Sequence, residues 1–178
     1  MCDPNTPNYM PLPPPESGVP LYQTEKFSGE ILLQINFRIL PTAADALRLA
    51  EQSRSSAKAC AGHVEGGLGD SSDISDISNF DYHRDGWTGA EVVTVGKEAR
   101  SSTKRSDYAP LTDVAISASR GVVFAELYWQ RSSEKDKGKK PSPSWKKEGE
   151  RALRNLLIKI GGDPKQQPPQ TPNAAKPN

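Results

Sequence analysis

The chain predicts an α+β domain: a strongly twisted antiparallel sheet of about five strands covered by two helices in a two-layer sandwich, with disordered termini. Three observations carry this. The hydrophobic periodicities follow the order β-α-β-β-β-β-α. Four successive strand patterns are joined by turn-rich segments, which makes them antiparallel neighbours. Each helix pattern has one apolar stripe, so each asks for a single sheet face to cover. Only 34% of the 178 residues are apolar and the mean hydropathy is −0.68. That is too little to bury the whole length, and it favours a compact unit of roughly 130 residues. The boundaries this implies are a proline-rich tether at 1–27, the domain at 28–162 and a tail at 163–178.

Residues 2–20 contain seven prolines and read as an extended spacer. Leu21 to Phe27 reads as a short edge segment leading into the first strand. From Ile31 to Ile39 every second residue is large and apolar, namely Ile31, Leu33, Ile35, Phe37 and Ile39. Side chains alternate along a strand, so this is a half-buried strand with one core face. Pro41 closes it, because proline cannot donate to a ladder. Thr42 then caps a helix, and Asp45 answers from the first turn. Ala44, Leu47, Ala50 and Ala57 form its apolar side, and Gly62 stops it.

The glycine- and serine-rich stretch after His63 reads as a loop. Ile77 to Arg84 is a strand with Phe80, Tyr82 and Arg84 on one face and Asn79, Asp81 and His83 on the other. Asp85-Gly86 suits a turn with positive φ, and Trp87 beside it folds back onto the sheet. Ala90 to Glu98 is a further strand. Thr112 to Ala118 and Val122 to Gln130 form the clearest hairpin, with Gly121 at the position that wants positive φ. Arg131 to Pro143 is a charged connector. Ser144 caps a second helix whose stripe is Trp145, Ala152, Leu153, Leu156, Leu157 and Ile160, ended by Gly161, Gly162 and Pro164. The last stretch, rich in proline, glutamine and asparagine, is expected to be disordered.

A net charge of +1 argues against nucleic acid as a partner recognised by bulk charge. No run of roughly 18 apolar residues exists to cross a membrane as a helix, and no signal-peptide pattern opens the chain. Asp70, Asp73 and Asp76 recur every third residue, unlike the alternate ligands of a calcium loop. Asp81 and His83 lack a third ligand or a nucleophile. With only His63 and His83 available, a catalytic triad or metal trio is not expected, and neither is a cofactor. The two cysteines, Cys2 and Cys60, leave three readings open. They are unrelated thiols, they pair in an oxidising compartment, or Cys2 is the lipidated residue of a lipoprotein on its proline-rich tether. The proline-rich, polar stretch directly after Cys2 favours the last.

The run FRILPTAADALRLAEQSRSSAKACAG, together with WTGAEVVTVGKEA, DVAISASRGVVFAELYWQ and ALRNLLIKIGG, resembles the PknH-like sensor domains of actinobacterial lipoproteins and receptor kinases over residues 28–162. The resemblance implies an extracytoplasmic α+β domain with a cleft between sheet and helices. It also implies disulfides within the domain, for which Cys60 finds no second cysteine other than Cys2.

The expected function is a lipid-anchored, non-catalytic binding or sensor domain outside the cytoplasm, held to the membrane by its lipid alone. Its ligand is an unidentified small molecule or lipid. The alternatives are a cell-envelope protein-interaction module that presents Phe124 and Tyr128, or, further off, a hydrolase. A binding site of this kind is concave and mostly apolar with a few polar groups. The candidates are Tyr82, Trp87, Tyr128 and Trp129, with Arg84 as an anion contact.

Overall fold

The computed structural model describes residues 21–58, 62–65, 74–98 and 109–161. Cys2, Cys60, the proline-rich stretch before residue 21, the loop at 66–73 and the tail from residue 163 lie outside them. The elements are β1 (Leu21–Ser28), β2 (Ile31–Ile39), α1 (Ala43–Lys58), β3 (Gly62–Glu65), β4 (Ile74–Arg84), β5 (Trp87–Glu98), β6 (Ala109–Arg120), β7 (Val123–Ser132) and α2 (Pro143–Gly161). The strands form one sheet in the order β1-β2-β7-β6-β5-β4-β3, and every pairing is antiparallel.

Local chemistry explains the hairpins. Asp85 (φ 54°) and Gly86 (φ 79°) are both left-handed, the backbone of a two-residue turn whose twist matches the flanking strands. Gly121 at φ 57° turns β6 into β7. Thr42 and Asp45 cap α1 reciprocally. The Asp45 amide donates to Thr42 Oγ1 at 3.1 Å, and the Thr42 hydroxyl donates to Asp45 Oδ2 at 2.7 Å. The second helix begins earlier than expected. Pro143 is its first residue, where a missing amide proton costs nothing, and Ser142 rather than Ser144 precedes it, its Oγ accepting from the Ser144 amide at 3.4 Å.

The α+β class, the antiparallel sheet and the two helices stand as expected. Two finer features differ. The sheet has seven strands rather than about five. One addition is β1, which pairs along its whole length with β2, so the sheet takes up residues assigned above to the tether. The other is β3, four residues against the start of β4. The helices also lie on opposite faces rather than together over one. Phe124 of β7 packs with Leu40 and with Ala46, Leu49 and Ala50 of α1. Its neighbours Ala125, Leu127 and Trp129 pack with Trp145, Leu153 and Leu157 of α2. Adjacent residues of a strand point to opposite faces, so each helix has its own side.

That arrangement corrects two expected stripes. The buried side of α1 is Ala46, Leu49, Ala50 and Ala57, while Leu47 is 46% exposed. On β2 the apolar set faces α2 and is only half-covered, Ile39 is exposed, and the polar residues Asn36 and Arg38 of the other face are buried. Phe124, expected at the surface, is 1% exposed beneath α1. The main core lies under α2, where Val114, Ile116 and Leu127 of the sheet meet Leu153 and Leu157. Each such side chain contributes ~1.5–3 kcal/mol by leaving water.

Candidate functional site

The position of α2 creates the site. The helix rests on β6 and β7 and approaches them closely at Gly149. A Cβ there would lie 2.6 Å from Trp129 Cε3 and 2.8 Å from Val114 Cγ2. Arg154 ties the helix to the β4–β5 turn through two hydrogen bonds to Asp85, 2.7 and 3.0 Å long. These bonds hold the Asp85 carboxyl below its ordinary pKa. Centred in this way, α2 does not reach across the β1–β2 hairpin, and a groove of about 420 Å³ remains between them.

The floor of the groove is Ile31 and Leu33 of β2 with Trp129 of β7, and Ala152 of α2 forms the near wall. Lys26 and Ser28 of β1 form one rim; Glu148, Arg151 and Asn155 of α2 form the other. The register explains this set, because Lys26 stands opposite Leu33 and Ser28 opposite Ile31, and Leu33 stands opposite Trp129. All therefore share the α2 face.

Charge is uneven along the rim. Glu148 accepts from Arg131 at 2.8 Å. The same guanidinium lies 3.6 Å from Glu30 and 4.8 Å from the centre of the Trp145 ring. Glu148 is thus ion-paired at one end of the groove, where two carboxylates share one guanidinium. Lys26 and Arg151 are exposed and make no ion pair with any described residue. Besides the paired Glu148, the groove offers a ligand apolar surface, two cations, one amide and one hydroxyl, the composition of a binding site with few polar anchors.

Of the five residues chosen from the sequence, Trp129 lines the groove. Tyr82, Arg84 and Trp87 share its face of the sheet but lie on the far side of α2, on β4 and β5. Tyr82 and Trp87 are 2% and 1% exposed and belong to the core. Burial pushes the Tyr82 phenol up to about 12. Arg84 lies 5.9 Å from the centre of the Tyr82 ring. Glu91, nearby on β5, is buried, which raises its carboxyl, and the Glu150 charge raises it further. Tyr128 lies on the opposite face, where Gln130 donates to its hydroxyl at 2.9 Å. Asp81, also on that face, lies 3.8 Å from Arg54 and 3.9 Å from Lys58 of α1. Lys26, Arg151 and Asn155 escaped the sequence reading, since their relevance depends on where α2 comes to rest. The available signal was Ala152, a small residue in a stripe of leucines.

The face under α1 carries a polar row, with Asn36, Glu126 and Ser117 adjacent across β2, β7 and β6. Burial pushes the Glu126 carboxyl up to about 8, only partly opposed by Arg38. A carboxyl raised in this way keeps its proton in the folded state after the unfolded chain has lost it. Stability should therefore fall as pH rises from about 4.5 to about 8 and level off above that. Glu126→Gln is expected to remove that slope and to stabilise the protein at pH 8 by roughly 1–3 kcal/mol, with little change at pH 4.5. Urea titrations of both proteins across this range measure it.

Compared with models of protein families, with curated proteins and with solved structures, the chain finds no match in any of the three.

Proposed function

We propose that this chain is a non-catalytic binding or sensor domain whose ligand enters the groove between α2 and the β1–β2 hairpin. One observation carries the proposal: an open groove with the apolar floor Ile31, Leu33 and Trp129, beneath a rim whose cations Lys26 and Arg151 have no ion-pair partner among the described residues. Apolar contact supplies affinity there and the cations supply orientation.

An extracytoplasmic, lipid-anchored setting is part of the same proposal. It rests on Cys2, the seven prolines of residues 2–20 and the resemblance of residues 28–162 to the PknH-like sensor domains. The intact mass of the native protein tests the anchor, because a Cys2 without diacylglyceryl mass contradicts it.

The groove itself is tested by thermal-shift screening against lipids, cell-wall fragments and small anions, with wild type and Ala152→Phe side by side. Ala152 lines the groove and is only half-buried, so a larger ring there narrows the groove. The expected result is a ligand that raises Tm by several degrees in the wild type and has no effect on the variant. A ligand that raises both equally places binding elsewhere.

A further inference from the structure

We infer that the groove takes a single-chain anionic amphiphile, a free fatty-acid anion, with its carboxylate between Lys26 and Arg151 and its hydrocarbon chain lying along β2 beside α2. This rests on the groove being the binding site, and it names the ligand class.

The apolar floor does not end at Leu33. Ile35 and Phe37 continue it along the same face of β2, and Leu156 and Ile160 continue the α2 wall beyond Ala152; all four are half-covered side chains at the margin of the main core. Helix and strand run in the same direction. The Glu148 end of α2 meets Arg131, which stands opposite Ile31. The Gly161 end lies against Trp87 and Arg120, and Arg120 stands opposite Val123, across from Ile39. The apolar track therefore leads away from the acidic end formed by Glu30 and Glu148. From Leu33 to Phe37 it extends roughly 13 Å, the scale of a medium-length alkyl chain.

Two features favour a lipid anion over a peptide. The backbone of β2 is hydrogen-bonded on both edges, to β1 and to β7, so the floor has no main-chain donors or acceptors for an added strand. A peptide would bring amides into an apolar trough that cannot satisfy them, whereas an alkyl chain brings none. The rim meets the head with positive charge, as Glu148 is already bonded to Arg131 and Lys26 and Arg151 remain for a carboxylate.

The full chain is titrated with dodecanoate below its micellar concentration, beside butanoate, dodecyltrimethylammonium and vesicles of anionic phospholipid, with binding followed by calorimetry. Lys26 and Arg151 are exposed, so the doubly reversed variant Lys26→Glu/Arg151→Glu retains the fold. The expected result is saturable dodecanoate binding, no saturation by butanoate, and roughly tenfold weaker dodecanoate binding in the variant. Dodecyltrimethylammonium reverses that preference. Equal binding of the two amphiphiles to both proteins overturns the inference, and so does binding to vesicles alone. A dimer in sedimentation that Ala152→Phe dissociates also overturns it, because the occupant is then a second copy. If dodecanoate fails while another ligand remains blocked by Ala152→Phe, the lipid assignment falls and the groove reading stands. If nothing is blocked by Ala152→Phe, both fall.

Discussion

Gly89→Ala is expected to destabilise the fold by ~3 kcal/mol or more, read as a lower urea midpoint with an unchanged slope. Gly89 sits in β5, opposite Tyr82 on one side and Ala118 on the other. A Cβ there would overlap the Ser117 carbonyl oxygen and lie 2.6 Å from Ala118 Cα. Both are main-chain atoms of the neighbouring strand, so no side-chain rotation relieves the overlap. β5 and β6 must separate locally, at the cost of ladder hydrogen bonds beside the buried Ala118. An alanine variant as stable as the wild type would contradict this strand packing.

The second large effect tests the placement of the helices. Leu153 is fully buried in the α2 core and Phe124 is 1% exposed under α1. Leu153→Ala should cost ~2–5 kcal/mol and Phe124→Ala ~3–5 kcal/mol, each the lost burial plus the cavity left behind. The two sites belong to separate hydrophobic clusters among the described residues, so their costs should add to within ~0.5 kcal/mol in the double variant. Helices stacked on one face would couple the two sites and break that additivity. Leu47→Ala, at an α1 position 46% exposed, is the control, expected to change stability by under ~0.5 kcal/mol.

What the sequence revealed follows from which interactions are local. The Asp85-Gly86 and Gly121 turns, the Thr42–Asp45 cap, the β6–β7 alternation and the α2 stripe all depend on near neighbours, and all were legible. The phase of α1 was not, because alanines at 43, 44, 46, 50 and 57 surround most of the helix and leave its apolar side under-determined. LYQTEKFS has little apolar alternation after a proline-rich stretch, so β1 reads as no more than a short edge segment. The polar set of β2 reads as the uncovered face of a half-buried strand, yet Arg38 is 3% exposed and Asn36 9%. Alternation separates two faces but does not say which is covered. The groove is further still from the sequence. Trp129 was legible as an aromatic of a core strand, whereas Lys26 and Arg151 become partners only through the β1–β2 register and the rest position of α2.

The binding groove is tested most directly by backbone and indole NMR of the full chain titrated with dodecanoate. Binding in the groove predicts shifts of the Trp129 indole and of the Ile31, Leu33 and Ala152 amides, while Tyr128 and Glu126 on the opposite face stay unmoved. Shifts centred on Tyr128 and Glu126 under saturable binding, with Trp129 silent, would contradict it.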